Sequence, residues 1–282
     1  MRIRKLILKI IDHKITPYIL LILLALIILS PLYWMFISSF KSMDEIYTLP
    51  PTFFPAKPTL EAFKSSFHFS PVLTYFKNSI IVAVVATLVT VSFATLVAYS
   101  LSQYRYKGSG LVTNMFLVFR ALPPMAMMLP FYVLGVTFHL INTYTILIIF
   151  LIYLNFPLAV WLLKMFFDAF PRELIDAAMI DGCSRIRILF RIVLPVTAYG
   201  LAATSVICFM FCWNEFFAAK IFMSSEAMRT IPVGVYSFTG EEMIYWNEIC
   251  AMGVMAFVPS GIFFILCQKH IVRGLGEGAV KA

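Results

Sequence analysis

Charged residues are scarce in this sequence. Asp, Glu, Lys and Arg together make up 13% of its 282 residues, whereas hydrophobic residues make up 61%. An ordinary soluble domain carries about a quarter of charged residues, and the mean hydropathy of this chain is +0.91. The composition therefore excludes an ordinary soluble domain and predicts a chain whose surface faces lipid.

The sequence also has few residues of the kinds that build catalytic or metal sites. Its four histidines are scattered singly, and the closest cysteines, Cys208 and Cys212, have the spacing of small packing residues on one helical face. No glycine is followed by lysine, which excludes a phosphate-binding loop of the Walker type. No catalytic triad or paired carboxylates stand out. We expect this chain to have no catalytic residue, no metal site and no cofactor of its own.

Long apolar runs are abundant. A bilayer core about 30 Å thick needs roughly 20 apolar residues per helix, and helices are favoured because backbone polar groups must be paired within hydrocarbon. Six runs qualify, at residues 17–39, 77–102, 111–137, 144–167, 195–219 and 248–268. The first run is too long for a secretory signal and no small-residue cleavage site follows it. We predict an all-α integral membrane protein with six transmembrane helices in one domain, residues 1–282.

Lys and Arg are distributed unequally over the loops. The side of the membrane with more of them is expected to be the cytoplasm. With the N-terminus inside, fifteen of the 22 basic residues are cytoplasmic, six are outside and Arg120 lies within a span. Both termini and the segment 168–194 are therefore predicted to be cytoplasmic. The net charge of +8 reflects this topology and anionic lipid, because no basic face with interleaved aromatic residues indicates nucleic acid.

Segment 168–194 has the signals of two helices separated by a glycine. Pro171 suits a first helical position, Glu173 suits the positive end of a helix, and Gly182 is placed to end the helix in a left-handed conformation. Ser184 can cap a second helix that continues into the fifth span. Two interpretations remain open at this point: an element that docks on a partner, or a surface helix whose arginines face lipid phosphates.

The same segment carries a spaced motif. Asp176-Ala177-Ala178 is followed after three residues by Gly182, after nine more by Ile192, and then by Leu194-Pro195. This spacing resembles the EAA loop of ABC importer permeases, with Asp in place of Glu at the first position. Further similar stretches are Asn78-Ser79, Leu122-Pro123-Pro124, Asn142-Thr143, Trp213-Asn214-Glu215-Phe216, Ile231-Pro232-Val233-Gly234, Arg273-Gly274-Leu275 and Gly278-Ala279-Val280-Lys281. Together they resemble the maltose-type carbohydrate importers, specifically the shorter of their two permeases, over essentially the whole chain.

The resemblance implies the type I permease fold of ABC importers, in the bacterial cytoplasmic (inner) membrane. It implies that residues 172–187 form a coupling helix seated in a cleft of an ATPase subunit. The coupling residues implied are Asp176, Ala177, Ala178, Asp181, Gly182, Arg185 and Arg187. The implied partners are a second permease, two ATPase subunits that bind the ATP and Mg²⁺, and a solute-binding protein. The implied cargo is a sugar or oligosaccharide, with a polyol or a sugar or glycerol phosphate as the alternative.

Polar residues within the predicted spans are candidates for the substrate pathway. Arg120 lies near the middle of the third span, where a charge is costly unless it faces a cavity or a partner. Asn155 has a similar position in the fourth span, although hydrogen bonding between helices explains it equally well. We also place Asn214 and Glu215 in this group. A secondary carrier would need more ionisable residues at this depth, and internal inverted repeats, which we do not find.

The outer loop of residues 221–247 is too long for a simple turn. It contains glycines, a proline and three glutamates, Glu226, Glu241 and Glu242. In the family that the sequence resembles, the matching loop enters the cleft of the binding protein. Its base is then expected at Ile231, Pro232, Val233 and Gly234. The alternative is a solvated connector that only joins the last two spans.

Overall fold

The secondary structure is helical, as expected of a chain that must pair its backbone within lipid. A computed structural model describes residues 15–104, 106–240 and 243–279. Within these ranges there is no β-strand, only one isolated antiparallel bridge between Thr239 and Ile244. The helices are α1 (Thr16–Ser38), α2 (Met43–Ile46), α3 (Glu61–Phe69), α4 (Val72–Gln103), α5 (Ser109–Ala121), α6 (Pro124–Thr137), α7 (Tyr144–Asp168), α8 (Arg172–Ile180), α9 (Arg185–Ile188), α10 (Leu194–Val196), α11 (Ala198–Trp213), α12 (Phe217–Phe222), α13 (Ile231–Tyr236) and α14 (Trp246–Ala279). A π-helical segment, Leu189–Val193, and a 3₁₀ turn, Glu226–Met228, complete them.

Some residues used in the topology argument lie outside the described ranges. They are Arg2, Arg4, Lys5, Lys9, Lys14, Arg105 and Lys281, together with Glu241 and Glu242 of the outer loop. The predicted orientation therefore continues to rest on the sequence.

Four of the described helices are long and apolar enough to cross a membrane. They are α1, α4, α7 and the Trp246–Lys269 part of α14. Two further pairs qualify if each bent pair is one span: α5 with α6, bent by 91°, and Arg185–Val196 with α11, bent by 81°. The number of spans is therefore four, or up to six by this criterion. The ends of α1, α4, α7 and Trp246–Lys269 lie within five residues of those predicted.

Prolines account for the breaks in the bent pairs. Leu122 and Pro123 have extended backbones between α5 and α6, because a residue before proline is pushed away from helical conformation. Pro195 supplies no N–H to the helical ladder, and the π-helical segment ends two residues before it, at Val193. The bend itself follows at Thr197, between α10 and α11.

The chain separates into two compact units. The first comprises Met1–Ser70 and Val235–Met255, and the second comprises Pro71–Gly234 and Ala256–Ala282. Within the described part of the first unit, α1 is apolar on all sides and buries only its last two residues, Ile37 and Ser38. A helix of this kind requires lipid or a protein partner around it.

A connection of residues 40–60 follows α1 in the first unit. The ammonium group of Lys41 is almost fully buried, lies 4.7 Å from the centroid of the Trp34 ring and donates a hydrogen bond to the Thr52 carbonyl. The Glu45 carboxylate accepts hydrogen bonds from the Thr52 hydroxyl at 2.9 Å and the Ala56 N–H at 2.8 Å. The connection is therefore ordered by polar contacts of its own.

The second unit is organised around α4, which packs against α7 and α11. Small side chains recur at helical spacing along its buried face, and this allows close approach of the neighbouring helices. These fully buried residues are Ala83, Ala86, Thr90, Ala94 and Ala98. Helix α4 contains neither glycine nor proline over its 32 residues.

Candidate functional site

The candidate coupling segment, residues 168–194, begins with α8, which has a buried face and an exposed face. Ile175 and Ala178 are buried in a hydrophobic cluster with residues of α4 and α7, whereas Leu174, Met179 and Ile180 are exposed. Of the predicted coupling residues, Asp176, Ala177, Asp181, Gly182, Arg185 and Arg187 are exposed and Ala178 is buried. These three apolar side chains are therefore not covered by the rest of the described chain.

Gly182 ends this helix in the left-handed conformation that its position predicts. Its φ is +78°, its N–H bonds to the Met179 carbonyl at 3.1 Å, and the Cys183 N–H bonds to the Ala178 carbonyl at 3.0 Å. This pair of bonds is the usual way in which a left-handed glycine satisfies the last carbonyls of a helix. Pro171 precedes the helix, and Ser184 precedes α9 without a side-chain capping bond. The predicted helix, glycine stop and second helix are thus present.

Three contacts join the end of α4 to the segment or to the adjoining end of α7. Arg172 donates to the Ser102 carbonyl at 3.2 Å, and Gln103 donates to the Phe167 carbonyl at 2.9 Å. The guanidinium of Arg185 stacks on the Tyr104 ring. A small cavity of about 210 Å³ lies between these elements and is lined in part by Asp176. The second helix is therefore held through Tyr104 as well as through its connection to α11.

Gln103 and Tyr104 were not among the residues selected from the sequence. They lie at the cytoplasmic end predicted for the second span, where the apolar run stops and polar and aromatic residues begin. That change in composition was the available signal. It does not identify a partner, because Arg185 lies 81 positions further along the chain.

Arg120 lies in the last turn of α5, directly before the bend at Pro123. Its side chain is exposed, donates a hydrogen bond to the Leu154 carbonyl at 3.2 Å and lies 5.4 Å from the centroid of the Phe211 ring. A positive charge near a helix C-terminus is favoured by the helix dipole. Its exposure within a candidate bent span allows it to face a cavity or a partner.

The other pathway candidates have different surroundings. Asn155 is 2% exposed, and its amide donates to the Leu151 carbonyl at 2.9 Å and contacts the Cys212 sulfur at 3.5 Å. Asn214 is exposed and donates to the Met210 carbonyl at 2.8 Å. The Glu215 carboxylate accepts the N–H groups of Ala218 and Ala219. All four side chains bond to backbone groups, but Asn155 is buried and Glu215 half-buried, whereas Arg120 and Asn214 are exposed.

The predicted base of the outer loop is helical. Ile231 and Pro232 begin α13, and Ile231, Val233 and Gly234 are buried. The Ile231 N–H donates to the Ser79 hydroxyl at 2.8 Å, and the Tyr75 ring lies directly against Gly234. Further along, the Gly240 N–H bonds to the Met243 carbonyl at 3.1 Å and closes a turn. The predicted base of the loop is therefore a short helix with buried residues, and its role toward a binding protein stays a prediction.

Comparison with known proteins identifies the family of this architecture. Residues 90–277 match the family described as "Binding-protein-dependent transport system inner membrane component". Within the described residues, no three His, Cys, Asp or Glu side chains are grouped so that they could hold a metal ion.

Three curated relatives are similar over nearly their whole length. The trehalose/maltose transport system permease protein MalG of Thermococcus litoralis is 35% identical, and the match covers 92% of this chain and 94% of that protein. The sulfoquinovosyl glycerol transport system permease protein SmoH of Agrobacterium fabrum is 34% identical, with 90% and 89% covered. The maltodextrin transport system permease protein MdxG of Bacillus subtilis is 32% identical, with 95% and 96% covered.

Two solved structures share the fold. A chain of a bacterial ABC transporter involved in the import of the acidic polysaccharide alginate superimposes with a TM-score of 0.74 at 23% identity, covering 90% of this chain and 95% of that chain. A chain of the inward-facing MetNI methionine ABC transporter gives a TM-score of 0.55 at 13% identity, covering 72% of this chain and 98% of that chain.

Proposed function

The chain belongs to the family of inner membrane components of binding-protein-dependent transport systems, and we propose from this that it is the permease subunit of an ATP-driven sugar importer. Its fold is that of an ABC importer permease. In the proposed importer it forms half of the transmembrane pathway, and a solute-binding protein delivers the sugar or oligosaccharide. The subunit itself catalyses no reaction in this proposal. ATP and Mg²⁺ are bound by partner ATPase subunits.

The arrangement of the proposed coupling segment, residues 168–194, is the observation that carries this proposal. Helix α8 presents exposed Leu174, Met179 and Ile180 beside Asp176 and Ala177, and its opposite face packs on the ends of α4 and α7. A segment built this way has a free surface for an ATPase cleft and a fixed surface toward the spans. Movement of the ATPase subunits is then passed to α4 and α7.

The proposed topology has six spans with both termini in the cytoplasm. Each bent pair counts as one broken span, since non-helical backbone at membrane depth is tolerated where it is buried in protein or lines water. The excess of Lys and Arg on the side of segment 168–194 sets the orientation. The whole chain then acts as one permease domain beside a second permease subunit.

The cargo is proposed to be a sugar or oligosaccharide because the related permeases serve carbohydrates. Their names specify trehalose and maltose, maltodextrin, and sulfoquinovosyl glycerol. An anionic glycoside or a polyol phosphate is the alternative cargo, and the exposed positive charge of Arg120 favours it. Arg120 and Asn214 are the proposed pathway residues that reach the surface in this conformation.

The test is purification followed by reconstitution. The chain should copurify with two ATPase subunits and a second permease, and proteoliposomes holding that complex should take up solute only with ATP inside and the binding protein outside. Mass spectrometry of the small molecule that copurifies with the binding protein identifies the cargo. Uptake by the purified chain alone, driven by an ion gradient, would instead establish a secondary carrier.

A further inference from the structure

Asn78, near the start of α4, has all of its side-chain polar atoms engaged. It is 1% exposed, and its amide nitrogen donates to the carbonyls of Ala227 at 3.0 Å and Arg229 at 2.8 Å. Its amide oxygen accepts a hydrogen bond from the Tyr144 hydroxyl at 2.6 Å. An asparagine amide can donate two hydrogen bonds from its nitrogen and accept at its oxygen. Both atoms of the Asn78 amide are therefore hydrogen-bonded.

Ser79 and Asn142 also form hydrogen bonds with the chain between α12 and α13 or with its two ends. The Ser79 hydroxyl accepts the Ile231 N–H, as described above. Asn142 accepts the Ser225 N–H at 2.8 Å through its side chain and donates its own N–H to the Phe222 carbonyl at 2.8 Å. The chain between α12 and α13 is therefore fixed at its beginning, middle and end.

This stretch depends on the side chains of other elements for its hydrogen bonds. Between α12 and α13 it contains only the short 3₁₀ turn at Glu226–Met228, so most of its carbonyls have no helical partner. Asn78 donates hydrogen bonds to two of these carbonyls, those of Ala227 and Arg229. The base of the outer loop, residues 223–231, is thus tied to the start of α4.

The other end of the same helix is tied to the coupling segment. Ser102 and Gln103, the last residues of α4, hydrogen bond with Arg172 and with the Phe167 carbonyl. The 32 residues between the two ends correspond to a helix of about 48 Å at 1.5 Å per residue.

Among the described spanning segments, α4 is the one free of both glycine and proline. Proline lies inside α1 (Pro31), α7 (Pro157) and α14 (Pro259), and the two remaining candidates are the bent pairs. Kinks in helices arise at proline, glycine and π-bulges, and α4 has none of these. It is therefore the described candidate span that carries none of these three causes of a kink.

We propose that α4 is a rigid link between the outer loop and the coupling segment, and that Asn78 is the positioning residue at its outer end. The inference rests on the proposed function, since it assumes that the binding protein meets the outer loop and the ATPase meets the coupling segment. Docking at one end then shifts α4 as one body, and its other end moves the coupling segment.

The experiment measures ATP hydrolysis by the reconstituted complex as its solute-binding protein is titrated. Stimulation is expressed relative to the unstimulated rate of each variant. Each titration curve then gives two separate quantities, the binding-protein concentration at half-stimulation and the maximal stimulation. Leu88 lies in the middle of α4 and is 62% exposed, so Leu88→Gly softens the helix and Leu88→Ala is its matched control. Leu88→Gly should lower the maximal stimulation about threefold below that of Leu88→Ala at an unchanged half-stimulating concentration.

Asn78→Ala tests the outer end of the link. It removes the donors for two carbonyls and should raise the half-stimulating concentration about fivefold or more. Tyr144→Phe removes only the bond to the Asn78 oxygen and should give a smaller rise in the same direction, so it serves if Asn78→Ala does not assemble. Wild-type curves for Tyr144→Phe and Asn78→Ala, or identical curves for the two Leu88 variants, overturn the proposal. Absence of stimulation in the wild-type complex overturns the proposed function instead.

Discussion

The guanidinium carbon of Arg185 lies 4.7 Å from the centroid of the Tyr104 ring. Arg185 begins α9, the second helix of segment 168–194, and Tyr104 directly follows α4. A cation over an aromatic face contributes about 0.5–1 kcal/mol at an exposed site. This contact joins the coupling segment to the helix that reaches the outer loop.

Replacing the Tyr104 ring should weaken coupling. Tyr104→Leu removes the cation–π contact and should reduce binding-protein-stimulated hydrolysis about two- to fivefold. Tyr104→Phe keeps the ring and is the matched control, which should behave like the wild type. The measurement is binding-protein-stimulated ATP hydrolysis in proteoliposomes. Equal stimulated rates for the Leu and Phe variants would show that the ring plays no part.

Gly182→Val should uncouple hydrolysis from transport while the chain still inserts and folds. The glycine has a φ of +78°, and a Cβ built on it meets no atom within 4 Å, so the penalty arises from the backbone alone. A left-handed conformation costs a residue with a Cβ about 1–2 kcal/mol.

The matched control at this position is Gly182→Asn, because asparagine tolerates the left-handed conformation. Stimulated hydrolysis should fall about fivefold or more in the Val variant and remain near the wild-type rate in the Asn variant. Copurification of the ATPase subunits reports docking in both. Normal docking and hydrolysis in Gly182→Val would show that coupling does not need the left-handed glycine at the end of α8.

Arg120→Ala should reduce uptake about tenfold without preventing assembly, which is the effect expected for the loss of a charge-assisted hydrogen bond. The side chain is exposed and bonds only one carbonyl, that of Leu154, among the contacts described above. Arg120→Lys retains the charge but not the planar fork, and should recover part of the rate. Uptake at the wild-type rate by an assembled Ala variant would assign Arg120 a structural role.

The connection after α1 should lose stability in acid. The hydrogen bond from the Ala56 N–H holds the pKa of Glu45 below its ordinary value, with further help from Thr52 and Lys41. The folded pKa is below the unfolded one. The stabilisation is therefore complete above the ordinary carboxyl pKa of 4.5 and is lost as the pH falls through the folded value.

The measurement is the unfolding temperature of the purified complex between about pH 6 and pH 3. Glu45→Gln should be less stable than the wild type at pH 6, and the difference should shrink as the pH falls. Glu61→Gln, a charge-removing variant in α3, controls for the loss of a negative charge. A difference that stays constant over this range would contradict the role of the Glu45 carboxylate.

The long spans were predictable from the sequence because their signal is local. Apolar length alone placed α1, α4, α7 and most of α14 close to their observed ends. The end of α8 at Gly182 was also predictable. Helices often end at a glycine in the left-handed conformation, and Gly182 is placed where such a residue is expected. These features depend on residues within a few positions of one another.

The anchoring of the outer loop depends on contacts between distant residues. Residues 231–234 were predicted as the base of the loop but not as a helix, and the Ser79 hydroxyl and the Tyr75 ring contact the helix at this position. The Asn78-Ser79 stretch resembles the family but does not by itself predict a structural role. The two carbonyls that Asn78 binds lie about 150 residues further along the chain, and a single sequence does not reveal contacts over such a separation.

The central claim is that segment 168–194 docks on an ATPase, and photo-crosslinking tests it most directly. A photoactivatable phenylalanine derivative is placed at Ala177, on the exposed face of α8, or at Leu49, a 91% exposed control in the connection after α1. Illumination of the assembled complex should link position 177 to an ATPase subunit and should not link position 49 to it. Adducts of position 177 with lipid alone, in a complex that retains its ATPase, would contradict the account.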